Sequence, residues 1–335
     1  MINKISERLV WADIIRVLAI YFVILVHSLG ASAKNAFPLS SSIASTCVPL
    51  FIMLSGALLL DKKENYSYFY KKRFLRLILP WITWTLIYFG IKFLQNPTPD
   101  FIKTLSLFSS TLTSFWFLPM IAALYIITPA LRIFTVNAKP KDIFFIILLW
   151  FLSISVLPYY KNSFAFPFYV DDGIVRQVFT YLGYYLLGAA IIKIKLPRLR
   201  VLLFGLAFGI SLSLINYYIR TVNNLPLPFF SFSYIFPGVV ISSAAVFLIV
   251  KSLNKNLNSL NKQVKLLIIS LSTASFGIFF IHGLITDYFS KILGRPYLFN
   301  VGFFGEWINS LTLFIISYLI ILLLAKIPFV KKFIT

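Results

Sequence analysis

Negative charge is scarce in this chain: ten aspartates and glutamates stand against 31 lysines and arginines. Cysteine and histidine are scarcer still, with Cys47 alone of the first and only His27 and His282 of the second. A single cysteine excludes an internal disulfide, and these three residues show no metal-ligand spacing. Alternating strand patterns are missing, which excludes a β-barrel as the route through a membrane. A soluble domain, a low-complexity tail and convincing internal repeats are missing too, and no serine or cysteine is paired with a histidine in a recognisable nucleophile motif. The formal charge of +21 calls for no nucleic-acid partner, because basic residues on cytoplasmic loops of a membrane protein are topology signals that also meet anionic lipid heads.

What the chain has is apolar length. A 59% hydrophobic, 12% charged composition with mean hydropathy of +0.89 exceeds what a soluble core can hide. About 20 apolar residues cross a bilayer. Ten runs approach that size, near 9–29, 46–60, 77–94, 115–134, 143–157, 174–192, 200–219, 232–250, 266–287 and 310–327, the second and fifth being short. The expectation is an all-α integral membrane protein of about ten transmembrane helices, forming one membrane-embedded domain over 1–335. The first run follows a basic start but is too long for a signal-peptide core and lacks a small-residue cleavage site, so it is read as helix one. With the N-terminus inside, 22 of the 31 basic residues fall on inner segments, eight on outer ones, and Arg16 within a helix. That asymmetry predicts both termini cytoplasmic in a multi-pass protein of the cell membrane. The connections with room for structure of their own are 61–76 on the inside and 95–114, 158–173 and 288–309 on the outside.

Helix one carries polar groups that lipid would leave unsatisfied. Arg16 and His27 are eleven residues apart, close to three full turns, which sets them on one face about 16 Å apart along the axis. Asp13, three residues before Arg16, is placed to contact its guanidinium. Such groups face a bundle interior or a watery cavity. His282 lies sixteen residues into the ninth run and His27 eighteen into the first, both running outward, so two imidazoles are expected at similar depth in one cavity. At the inner side, "YKKRFLRLILPW" puts Lys72, Arg73 and Arg76 three and four residues apart on a helix, a cationic cluster that suits a polyphosphate.

Five segments in order, "DIIRVLAIYFVILVH", "VPLFIMLSGALLL", "KKRFLRLILPW", "FWFLPMIAALYIITPALR" and "FGIFFIHGLI", resemble the acyltransferase family 3 integral membrane proteins along nearly the whole chain. The likeness is to the stand-alone bacterial members that O-acetylate surface polysaccharides. The family's arginine, ten residues and histidine on helix one match Arg16 and His27. Its second histidine matches His282, and its basic start to helix three matches Arg73 and Arg76. Pro119, after "FWFL", departs from the pattern and predicts a bent start to helix four.

The resemblance implies transfer of an acyl group, acetyl by likeness, from cytoplasmic acyl-coenzyme A to a hydroxyl of a cell-surface or lipid-linked glycan, with no permanently bound cofactor and no metal. Arg16, Asp13, Lys72, Arg73 and Arg76 are the donor-binding candidates. A sugar hydroxyl is a poor nucleophile until a base takes its proton, and His27 is the candidate base for direct transfer; a relayed acyl-histidine is the alternative. His282 can orient the acceptor, stabilise the oxyanion or move a proton. On the outer side Glu306, Asp171 and Asp172 offer carboxylates, while Trp116, Tyr159, Tyr160 and Trp307 offer rings for a sugar. Expected partners are the bilayer, the glycan and either a second copy or glycan-synthesis machinery. A rival reading is a transporter or flippase for a lipid-linked glycan or polysaccharide, and a weaker one a structural subunit of a glycan-synthesis complex.

Overall fold

The computed structural model describes residues 8–28, 37–95, 97, 100–157, 173–223, 233–293, 303–328 and 332–333. These are built from helices, with no strand among the described residues. Asp171, Asp172, Tyr159 and Tyr160 lie outside them. In chain order the helices are α1 (Val10–Ser28), α2 (Pro38–Ala44), α3 (Cys47–Leu59), α4 (Tyr66–Gln95), α5 (Phe101–Ser114), α6 (Phe117–Asn137), α7 (Pro140–Trp150), α8 (Ile174–Lys193), α9 (Leu199–Val222), α10 (Pro237–Ser252), α11 (Asn254–Asn258), α12 (Lys262–Leu293) and α13 (Phe303–Leu324).

Among the described residues eight spans are long and apolar enough to cross a membrane, α2 and α3 counting together as Pro38–Leu59. The two other expected runs form shorter helices, so the count agrees roughly with the expected ten. The run 143–157 forms the eleven-residue α7, extended by a π turn over Phe151–Val156, and 232–250 forms the sixteen-residue α10. Pro140 and Pro237 open these helices, where a missing N–H costs nothing. Pro119 likewise falls in the first turn of α6, two residues after Phe117 begins it. α4 is the largest departure, beginning at Tyr66 rather than near 77 and running for 30 residues. At 1.5 Å per residue that is about 45 Å, longer than a hydrocarbon core of about 30 Å, so its charged first turns extend beyond the apolar span. α5 occupies the connection 95–114. Asp100 caps it, its carboxylate accepting from the N–H of Ile102 and Lys103.

α1 is central, packed against α3, α12 and α13. Its Ile15, Ala19, Ile20, Ile24 and Leu25 are wholly buried. Where lipid competes with side chains for apolar contact, close packing of small residues holds helices together. α3 and α8 show this: a Cβ on Gly56 would lie 1.8 Å from the Tyr185 carbonyl oxygen, and one on Gly188 would lie 1.8 Å from that of Met53. Toward the periphery, α9 buries only the stripe Leu202, Gly209 and Ser213 and exposes Phe204, Phe208 and Ile215, a surface matched to lipid tails.

Candidate functional site

Helices α1, α3, α4, α6 and α12 enclose a cavity of about 1030 Å³ with chemically distinct ends. Arg8, Asp13, Arg16, Lys62, Arg73 and Arg76 line one end. His27, His282, Trp116, Lys92 and Asp287 line the other. Phe51, Leu54, Phe276 and Phe279 form an apolar waist between them.

At the cationic end α1 supplies a buried carboxylate. Asp13 is 1% exposed and accepts from Arg8 Nε at 2.9 Å, Arg8 Nη2 at 3.1 Å, Arg16 Nη1 at 3.0 Å and Ser272 Oγ at 2.5 Å. Three of these donors converge on Oδ1 and one on Oδ2, so Asp13 is engaged in orienting these groups. Arg73 and Arg76 enter the same space from α4, while Lys72 does not line it. The Lys72 ammonium leans on Tyr68, 3.3 Å from its hydroxyl and 5.1 Å from its ring centroid.

The connection between α3 and α4 is fixed beside this end by Arg132, which the charge count treats only as a topology signal. Arg132 is buried, donates from Nε to the Leu59 carbonyl at 2.8 Å and from Nη2 to Glu64 Oε1 at 2.9 Å, and lies 4.4 Å over the Phe69 ring. Burial pushes the Glu64 carboxyl up, but the Arg132 hydrogen bond and the charges of Lys62, Arg73 and Arg132 outweigh it and hold the group below the usual carboxylate range.

At the far end the two imidazoles meet, ring centroids 5.3 Å apart and planes at 49°. His282 is buried, its Nδ1 3.1 Å from the Ile278 carbonyl oxygen one turn earlier. A carbonyl only accepts, so Nδ1 carries the proton and, in the neutral ring, Nε2 keeps its lone pair. His27 is exposed toward the cavity on α1. Trp116 forms an aromatic wall there, stacked on Tyr181 at 5.7 Å and on Tyr234 at 6.0 Å. Glu306 lies elsewhere: it is buried outside the cavity lining, bonded by the Ser40 hydroxyl of α2. Trp307 Nε1 donates to the same Ser40 oxygen at 2.9 Å, so Glu306 and Trp307 tie α13 to α2 behind His27. In the next turn of α13, Ser310 lies 2.6 Å from the hydroxyl of Ser28, which follows His27.

Sequence reading missed Arg8, Ser272, Thr273, Lys92 and Asp287 in the lining. One signal was available. Ser272 precedes His282 by ten residues, nearly the spacing of Arg16 and His27, and α12 runs alongside α1 so that Ser272 faces Arg16 as His282 faces His27. Lys92 and Asp287 carry no comparable pattern.

A cavity with a cationic mouth, an apolar waist and a pair of imidazoles can hold a long anionic molecule with a reactive end and offer it a base. No curated protein and no solved structure matches the chain. Its sequence does match the acyltransferase domain family over residues 9–326, almost its full length. The chain therefore belongs to acyltransferase family 3.

Proposed function

We propose that this multi-pass membrane acyltransferase takes an acyl group, acetyl by likeness, from cytoplasmic acyl-coenzyme A and transfers it to a hydroxyl of a cell-surface or lipid-linked glycan at the cell membrane. The supporting observation is one continuous cavity with Arg16 and His27 about three helical turns, or about 16 Å, apart along α1. The nucleotide head rests among Arg16, Arg73 and Arg76, and the pantetheine arm runs through the apolar waist. The thioester thus reaches the histidines while the charged head stays at the inner mouth.

His27 takes the proton from the acceptor hydroxyl as that oxygen attacks the thioester carbonyl. The carbon–sulfur bond breaks, and the departing thiolate receives the proton to leave as free coenzyme A. His282, its Nδ1–H committed to Ile278, presents a lone pair that orients His27 or receives its proton. Trp116 supplies a stacking face for a sugar, while Glu306 acts at one remove, by holding α2 and α13. Lys72 drops out of the donor contacts, its ammonium being directed to Tyr68.

The test is release of free coenzyme A from acetyl-coenzyme A by purified protein, dependent on added glycan acceptor. Acceptor-dependent release, with the acyl group recovered on a glycan oxygen, is the expected result. Acceptor movement without any thiol release would favour the transporter reading.

A further inference from the structure

Arg8 stands before the first turn of α1, yet its side chain folds back onto that helix and across to α12. It makes two bonds to Asp13, and its Nη2 also donates to Thr273 Oγ1 at 3.2 Å. Arg16 Nη1 donates to the same Oδ1 that Arg8 Nη2 reaches, and lies 3.4 Å from Ser272 Oγ. One buried carboxylate and two neighbouring hydroxyls of α12 thus fix two guanidiniums side by side. A guanidinium has five N–H groups. Among the described residues the bonds of Arg8 use Nε and Nη2, and those of Arg16 use Nη1. Nη1 of Arg8, and Nε and Nη2 of Arg16, remain for a ligand. Both side chains keep about a third of their surface open, at 38% and 33%, and both line the cavity.

The electrostatics call for an anion here. Two guanidiniums share one negative charge, Arg73 and Arg76 add two positive ones, Lys62 is paired with Glu64 at 3.6 Å, and the other carboxylate in the lining, Asp287, stands at the histidine end. Charges held at fixed spacing in a partly desolvated mouth bind a doubly charged group more strongly than a mobile pair would. Position selects which group. Arg16 lies on the same face of α1 as His27, so a molecule threading toward His27 passes Arg16 with its last charged segment. In a coenzyme A thioester that segment is the diphosphate, and the 3′-phosphate lies farther out on the nucleotide.

We propose that Arg8 and Arg16, fixed by Asp13, Ser272 and Thr273, form a diphosphate seat, and that Arg73 and Arg76 on α4 take the 3′-phosphate. Asp13 is a positioning residue and Arg8 a binding residue. This rests on acyl-coenzyme A being the donor, and the experiment separates the two claims. Full-length protein in detergent is titrated by calorimetry with coenzyme A and with 3′-dephospho-coenzyme A, as wild type, Arg8→Gln, Arg8→Lys and Arg76→Ala, with a melting curve for each.

Arg8→Gln is expected to weaken both nucleotides by one common factor of about ten- to a hundredfold, the usual reach of charge-assisted hydrogen bonds. Arg8→Lys should restore part of it, since an ammonium lacks the planar two-pronged contact. Arg76→Ala should weaken coenzyme A and spare 3′-dephospho-coenzyme A. If Arg8→Gln melts abnormally, the same equal loss on both nucleotides is read from Arg8→Lys. Unchanged affinity for 3′-dephospho-coenzyme A in the Arg8 variants overturns the seat, as does a loss confined to coenzyme A. Wild type that binds neither nucleotide overturns the donor reading, and the seat with it.

Discussion

At the scale of single residues, His27 and His282 divide the polar work of the cavity unequally. His282 is buried with one ring nitrogen committed to its own helix, so its tautomer is fixed by backbone geometry. His27 is exposed on α1, lines the cavity and meets the His282 ring. His27→Ala is expected to lower kcat by about 10²- to 10⁴-fold and to leave coenzyme A affinity unchanged, since the proposed nucleotide site at Arg16 is about three helical turns away. Turnover by coenzyme A release, together with calorimetry, checks both halves; near wild-type turnover would make His27 a packing residue and His282 the next candidate. At the mouth, Arg16→Lys is expected to raise KM for acyl-coenzyme A several-fold, because a lysine cannot both hold Asp13 and present a second prong. An unchanged KM would mean that Arg16 merely reaches the interface, which any cation can do. The sequence made this stripe legible because charge inside an apolar run is conspicuous and helical spacing is rigid. Arg8 was not legible, since a basic residue ahead of a first membrane helix resembles a topology signal until its bonds to Asp13 and Thr273 are seen.

Elements repeat that pattern. Apolar runs located the spans, but α4 begins eleven residues before its run because Lys71, Lys72 and Arg73 interrupt hydropathy without interrupting a helix. Glu306 stands near the start of α13 and reads as an outer-side acid, whereas folding turns it away from the cavity and onto Ser40. Hydropathy also says nothing of what clasps the elements. The Arg132–Glu64 pair fastens the α3–α4 connection, and it carries a pH signature. A carboxyl held below its unfolded pKa of about 4.3 adds stability that is present above that value and is lost as pH falls through the folded value. Melting temperature should therefore fall as pH drops below about 4.3, and Glu64→Gln should flatten that part of the profile while lowering stability at neutral pH. A Gln variant with the wild-type acid limb would show that other carboxyls dominate it. The α3–α8 crossing makes a sharper demand. Gly56→Ala drives a methyl into the Tyr185 carbonyl, and overpacking typically costs about 1–3 kcal/mol. Its melting temperature in detergent should drop, whereas Gly90→Ala, with open space around the new Cβ, should not.

For the whole molecule, the charge asymmetry predicts which end of the cavity faces the cytoplasm, and function depends on that orientation. The structure supplies a passage with cations at one end and imidazoles at the other, while the placement of those ends relative to the cell comes from loop charge. A cysteine introduced at Asn162 should react with an impermeant thiol reagent outside intact cells, and one at Asn256 should not, with Cys47, buried, giving little background. If the donor head stays at the inner mouth and only its arm traverses the waist, the two substrates never need to share a compartment. In inside-out vesicles with acceptor glycan trapped in the lumen, acyl-labelled coenzyme A added to the bulk solution should label the luminal glycan, and the freed coenzyme A should appear in the bulk. Donor trapped in the lumen should be inert. About 16 Å of helix one separates Arg16 from His27, a distance for an extended arm and too long for a head held at one end to act directly at the other. Recovery of freed coenzyme A in the lumen would mean that the whole cofactor crosses. That result would sink the fixed-head geometry even with acyl transfer established, and would replace it with an alternating cavity in which the cationic end opens to both sides in turn.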